Sequence, residues 1–154
     1  ATGSARTTLT ANVVANLVRN VWTNTVIICG HFPPGIATFE KTSIEGETRG
    51  EWYVRQMLGS GNISGSKAMH VMTGNLSHQI EHHLFPDMPA HRYEEVAPKV
   101  RAVCARFGLP YNTGPFFGQY ASFVMRLAKY SLRPSDDRRV DERYRRPAFA
   151  PASS

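Results

Sequence analysis

The chain has 154 residues, 42% of them hydrophobic and 19% charged, enough for one modest domain with a core of its own. Its 18 Lys and Arg against 12 Asp and Glu give a net charge of +6; the basic residues are dispersed and accompany no recognised nucleic-acid motif, so nucleic acid is excluded as a partner, while anionic lipid headgroups fit the charge. The two cysteines, Cys29 and Cys104, show no C-x-x-C spacing, which excludes a disulfide framework and a cysteine zinc site, and no signal peptide or internal repeat is visible.

Residues 1–8 carry little pattern. From Leu9 to Cys29 the sequence lacks Pro and Gly and predicts a helix, with Val13, Val14, Leu17, Val18, Val21, Trp22, Val26, Ile27 and Ile28 as apolar surface. Its length approaches the ~20 residues needed to cross a bilayer core. Asn12, Asn16, Asn20 and Asn24, however, recur every fourth position and form a polar stripe, which should face other helices or a wet cavity. An amphipathic helix of a soluble protein has the same pattern. Gly30 is expected to break this helix and to leave His31 just beyond its end, as a candidate metal ligand or a loop residue beside Pro33-Pro34.

Residues 32–50 read as loop, and Glu51 to Leu58 as a short helix that presents Trp52, Tyr53 and Met57 and is ended by Gly59-Ser60-Gly61-Asn62. Residues 67–84 are the next helical candidate, with Gly74 as its weak point. This stretch carries His78-Gln79-Ile80-Glu81-His82-His83, which holds three of the six histidines. Imidazole is a good ligand for divalent iron, zinc or copper, and a helix would set His78 one turn from His82 and Gln79 one turn from His83.

Two chemistries compete for these residues. His78-x-x-Glu81-His82 has the form H-x-x-E-H, which in one class of zinc peptidases supplies two ligands and a general base; a third protein ligand would then have to come from Asp87, Glu94 or Glu95. Gln79-x-x-His82-His83 followed by Leu84-Phe85-Pro86 instead resembles the third histidine box of the membrane fatty acid desaturases, most closely the front-end and linoleoyl-CoA type. Gly30-His31 is similar to a Gly-His pair that follows the corresponding apolar helix in that family.

The resemblance implies a non-haem di-iron centre that uses O2 to place a cis double bond in an acyl chain carried on coenzyme A or a lipid. Electrons would come from NAD(P)H through a partner such as ferredoxin, cytochrome b5 or a flavin reductase. It implies His82 and His83 as ligands, His31 as a further one, and Gln79 or His78 as ligand or neighbour. Asn62 would hold a metal-bound water or be a plain turn residue, and Glu81 would orient a ligand. The family's first two boxes, H-x(3-4)-H and H-x(2-3)-HH, are absent, and the chain starts at Ala1. It is therefore expected to be the C-terminal part of a longer enzyme, matching the family over roughly residues 20–130.

After the box, Pro86 to Pro89 stops the helix, and Pro98 is expected in the first turn of another running to Phe107, with Val100, Val103, Cys104 and Phe107 buried. His70 and His91 read as structural and surface residues. Phe116 to Leu132 predicts a last helix whose aromatics and cations suit a membrane interface or packing on the protein body. Residues 133–154, rich in Arg, Asp, Pro and Ala, are expected to be a disordered tail.

The fold expected is all-α: the end of a transmembrane helix plus cytosolic helices over residues 1–132, incomplete without an upstream part. The metal site and C-terminus would lie on the cytoplasmic side of the membrane. A non-catalytic membrane-associated helical module is the rival to the enzyme.

Overall fold

The computed structural model describes residues 4–39 and 44–132; the expected tail lies outside them. The described chain is mostly helical: α1 (Ala5–His31), α2 (Arg49–Leu58), β1 (Asn62–Ser64), α3 (Lys67–Met72), α4 (Gln79–Leu84), α5 (Tyr93–Arg106), β2 (Thr113–Pro115) and α6 (Phe116–Ser131). A 3-10 turn, Ala90–Arg92, leads into α5. The two strands form a small parallel ladder that pairs Asn62 with Thr113, Ile63 with Gly114 and Ser64 with Pro115.

Local chemistry fixes several boundaries. Ser4 caps α1 by accepting from the Thr7 N–H, and Thr48 with Glu51 closes a capping box on α2. Between α3 and α4 the chain reverses through Gly74 and Asn75, with φ of 63° and 61°. Two consecutive left-handed residues cannot continue a right-handed helix, so the single helix expected over 67–84 is two short ones. His78 then precedes α4 with ψ of 59°, outside the helix proper. His78 and His82 consequently do not share a helical face.

Pro98 lies well inside α5 rather than in its first turn. Val100 and Cys104 are buried as expected, but Val103 and Phe107 are exposed, because Ile80, Leu84 and Met57 cover only one narrow side of α5. Among the described residues no helix is long and apolar enough to cross a membrane. The segment expected as the end of a transmembrane helix does not meet that description, since Asn12, Asn16, Arg19, Asn20 and Asn24 interrupt α1.

Two apolar clusters flank the box helix. Ile80, Leu84, Met57, Val100 and Cys104 join α4 to α2 and α5, while Val26, Cys29 and Ile63 join the end of α1 to β1. Gly30 does not end α1. The helix runs through it to His31, and the missing side chain makes a notch: a Cβ there would stand 2.9 Å from Gln79 Cγ. The Gly30 carbonyl also accepts the Gly61 N–H at 2.9 Å, tying α1 to the approach to β1.

This contact predicts the sign of a substitution. In a free helix Gly→Ala gains up to about 1 kcal/mol, but overpacking against Gln79 costs about 1–3 kcal/mol. Gly30→Ala should therefore lower the denaturant midpoint; a rise would show that Gln79 does not press on Gly30.

Candidate metal centre

A helix of six residues has no stability of its own, so α4 depends on what surrounds it. Ile80 is fully buried and Leu84 nearly so. The Ile80 N–H, one of the donors a helix start leaves unpaired, donates to Asn62 Oδ1 at 2.8 Å, and Ser77 O accepts from Ile63 N at 2.8 Å. Strand β1 thus grips the start of α4 on both sides of His78.

The last turn of α1 meets this helix from the other side. His31 Nε2 lies 3.1 Å from His83 Nε2 and 3.5 Å from the Gln79 amide nitrogen. The His31 and His83 rings meet edge to face at 5.1 Å between centroids, and His82 and His83 at 5.8 Å. His31, Gln79 and His83 converge, with His82 beside them.

The partners of the other ring nitrogens decide what these imidazoles present. His31 Nδ1 lies 2.9 Å from Ile27 O, an atom that can only accept, so His31 carries its proton on Nδ1. His83 Nδ1 donates in the same way to Gln56 Oε1 at 2.9 Å. His82 Nδ1 lies 3.1 Å from the Tyr93 hydroxyl, whose own proton points at Phe85 O, 3.4 Å away. With its proton on Nδ1, each ring offers an Nε2 lone pair. Two lone pairs facing at 3.1 Å repel, unless something electrophilic lies between them.

Two nitrogens bound about 2.0–2.1 Å from one ion at right or tetrahedral angles stand about 2.8–3.4 Å apart, a range that includes this spacing. Engaged Nδ1–H groups are the usual outer support of metal-binding histidines. Burial holds His83 near pH 4, helped by the adjacent His31 and His82, and burial and then His31 lower His82. Neutral imidazole is the form that binds a metal. Among the described residues no three His, Cys, Asp or Glu side chains form a metal-holding group, so the convergent set is two histidines and an amide, with His82 adjacent. These residues fit part of a site for a divalent metal such as iron.

His78 stands elsewhere. Its ring stacks on His70 at 4.8 Å, its Nδ1 is 4.0 Å from Glu81 Oε2, and its Nε2 is buried without a partner. His70 Nδ1 lies 2.7 Å from Ser77 Oγ, and His91 is exposed. Asn62 is no plain turn residue: it is buried, and its Nδ2 donates to Glu81 Oε2 at 2.9 Å and to the Tyr111 hydroxyl at 2.6 Å. Tyr111 donates to Glu81 Oε1 at 2.8 Å.

Burial, then the charge and hydrogen bond of Glu81, push the Tyr111 hydroxyl up, so it stays a donor. Glu81 is thereby sealed at 0% exposure. A peptidase general base must reach a substrate water, and this one does not. Gln56, Tyr93 and Tyr111 escaped the sequence reading because they stand 27, 11 and 30 positions from the box residues they bond.

The fatty acid desaturase family model matches residues 5–115. Over 127 residues the chain is 58% identical to an NADPH-dependent stearoyl-CoA 9-desaturase of Mycobacterium tuberculosis, a match covering 82% of this chain and 30% of that protein. It is 40% identical over 83 residues to fatty acid desaturase 3 of Bos taurus, covering 54% of this chain and 19% of that protein. A fatty acid desaturase 2-like protein of Mus musculus is 33% identical over 116 residues, 75% of this chain and 22% of its own length. The chain spans less than a third of the length of these relatives. No solved structure matches it.

The depressed His83 fixes a pH dependence. Between its ordinary value of 6.5 and about 4, the unfolded chain binds a proton that the folded one refuses. Stability contributed at neutral pH should therefore fall as pH drops through that window, with no effect of this group at higher pH. Urea midpoints at pH 7.5, 6 and 5 should show a smaller decline in His83→Gln than in the parent; an equal decline would remove His83 as the cause.

Proposed function

The chain belongs to the fatty acid desaturase family, and from that premise we propose that it forms part of an oxygen-dependent acyl desaturase in which His31, His82 and His83 bind iron, with Gln79 beside them as ligand or neighbour. One observation carries this reading: the 3.1 Å approach of two Nε2 atoms whose rings are already engaged at Nδ1. His78, stacked on His70, is left out of the proposed ligand set. Asn62 and Glu81 hold the box from behind, without touching the proposed ligand nitrogens.

We take the substrate to be a long-chain acyl-CoA and the electrons to come from NADPH, as the name of the Mycobacterium relative supports, and to arrive through a redox partner. One hydrogen leaves each of two adjacent methylenes, giving a cis double bond. Those two hydrogens, two electrons and two protons reduce O2 to two waters. A pair of iron ions, when bound, would activate O2 for the attack that unactivated C–H bonds require.

The chain's own residues have narrower tasks. Ile27 O, Gln56 and Tyr93 orient three imidazoles, and the Gly30 notch seats Gln79, 4% exposed, against the end of α1. Further ligands come from outside the described residues. Leu9, Val13, Val14, Leu17, Val18 and Val21 are exposed apolar residues of α1, and we assign them to contact with lipid, with the metal site on the cytoplasmic side.

A non-catalytic helical module is the second reading, favoured by the incomplete ligand group. Iron separates the two. The full-length desaturase should hold two irons per chain, and His31→Ala, His82→Ala and His83→Ala should each lower that number and abolish conversion of stearoyl-CoA to a mono-unsaturated product. His91→Ala should keep most activity. Undiminished desaturation in the His82→Ala, His83→Ala double variant would contradict the ligand assignment.

A further inference from the structure

Glu81 is a carboxylate at 0% exposure whose only ion-pair neighbour among the described residues is a histidine nitrogen 4.0 Å away. Its oxygens depend on two neutral donors. Tyr111 serves Oε1 and Asn62 serves Oε2, and Asn62 also donates to the Tyr111 hydroxyl, so the three side chains form a closed ring of hydrogen bonds. The ring joins the box helix to β1 and to the segment between α5 and β2. Arg101 of α5 lies over the Tyr111 ring, 4.9 Å from its centroid.

We propose that Tyr111 is a positioning residue for the histidine box: by holding Glu81 it sets the rotation of α4 about its own axis, and with it the direction in which His82 and His83 point. The proposal rests on the assignment of those two histidines as ligands.

Apolar packing alone does not set that rotation. Ile80 and Leu84 are the buried apolar side chains of α4, and methyl surfaces slide past one another with little angular preference. Hydrogen bonds are directional. A helix with its side chains is about 10–12 Å across, so a rotation of about 20° moves a group at its rim by about 2 Å. That is as long as a metal–nitrogen bond, about 2.0–2.1 Å. Glu81 immediately precedes His82, and a swing at one is a swing at the other.

Without its hydroxyl, a ring at position 111 still fills its place, but Glu81 Oε1 loses its donor in a site closed to water. The carboxylate must then turn toward another partner, and α4 turns with it. A purely structural tyrosine would instead cost stability and leave the metal environment of the folded molecules unchanged.

The test uses the full-length protein with Fe(II), comparing parent, Tyr111→Phe, Glu81→Gln and the double variant. Fe(II) affinity is measured by chelator competition, the Mössbauer spectrum is recorded on loaded protein, and thermal midpoints are taken alongside. Tyr111→Phe should weaken Fe(II) binding about 10–100-fold, as loss of an outer-shell partner does, and change the spectrum. Because Tyr111 acts through Glu81, the double variant should bind no more weakly than Glu81→Gln alone.

A lower midpoint with parental affinity and spectrum would overturn the proposal, as would losses that add in the double variant. Should Tyr111→Phe not fold, the dependence is read from Glu81→Gln, where parental affinity and spectrum would overturn it equally. Failure of the parent protein to bind Fe(II) would overturn the ligand assignment itself, a separate result.

Discussion

Two imidazole Nε2 atoms held 3.1 Å apart, on rings already engaged at Nδ1, are an electrostatic liability that the surrounding chain has to sustain. His31 owes its orientation to a carbonyl in its own helix, one turn back, and His83 owes its orientation to the Gln56 amide of α2. Neither can relieve the repulsion by turning without leaving an N–H unpaired in a partly buried site. Burial first, and then the neighbouring His31, depresses the basicity of His82 and His83 and keeps both rings available for a cation other than a proton.

The architecture serves to bring the end of α1 against the short box helix. Gly30 and Gly61 allow the close approach, since a Cβ at Gly61 would come within 2.7 Å of Pro33 Cγ. The Gly61 N–H bonds Gly30 O, and Asn62, the next residue, caps α4 and reaches Glu81. Three consecutive links thus run from the helix carrying His31 to the helix carrying His82 and His83. On the far side Trp22 donates to Met72 O, and its ring lies 5.6 Å from that of Phe116, so α3 and α6 hold the same end of α1.

The helices were legible where one face carries the apolar residues, as in α2 and in the buried Val100 and Cys104 of α5. The box was legible from its spacing, since ligand types cluster there within six positions. Gly30 was misread because propensity treats glycine as a stop, whereas here the tertiary contact with Gln79 uses its missing side chain. The break at Gly74-Asn75 showed only as a weak point, because Asn adopts positive φ too rarely to be anticipated. In α6 the burial runs against hydropathy: Gln119 is 3% exposed while Phe117 is 82% exposed, since Gln119 donates to Asn62 O. No periodicity rule would place that glutamine inside.

The pairing of His31 with His83 joins residues 52 positions apart, and the proposed metal site depends on it. An anomalous-difference map of crystals of the iron-loaded full-length protein, recorded at the iron edge, tests it most directly. A peak is expected about 2.0–2.3 Å from both the His31 and His83 Nε2 atoms. Iron bound to only one of them, or to His78 instead, would contradict it.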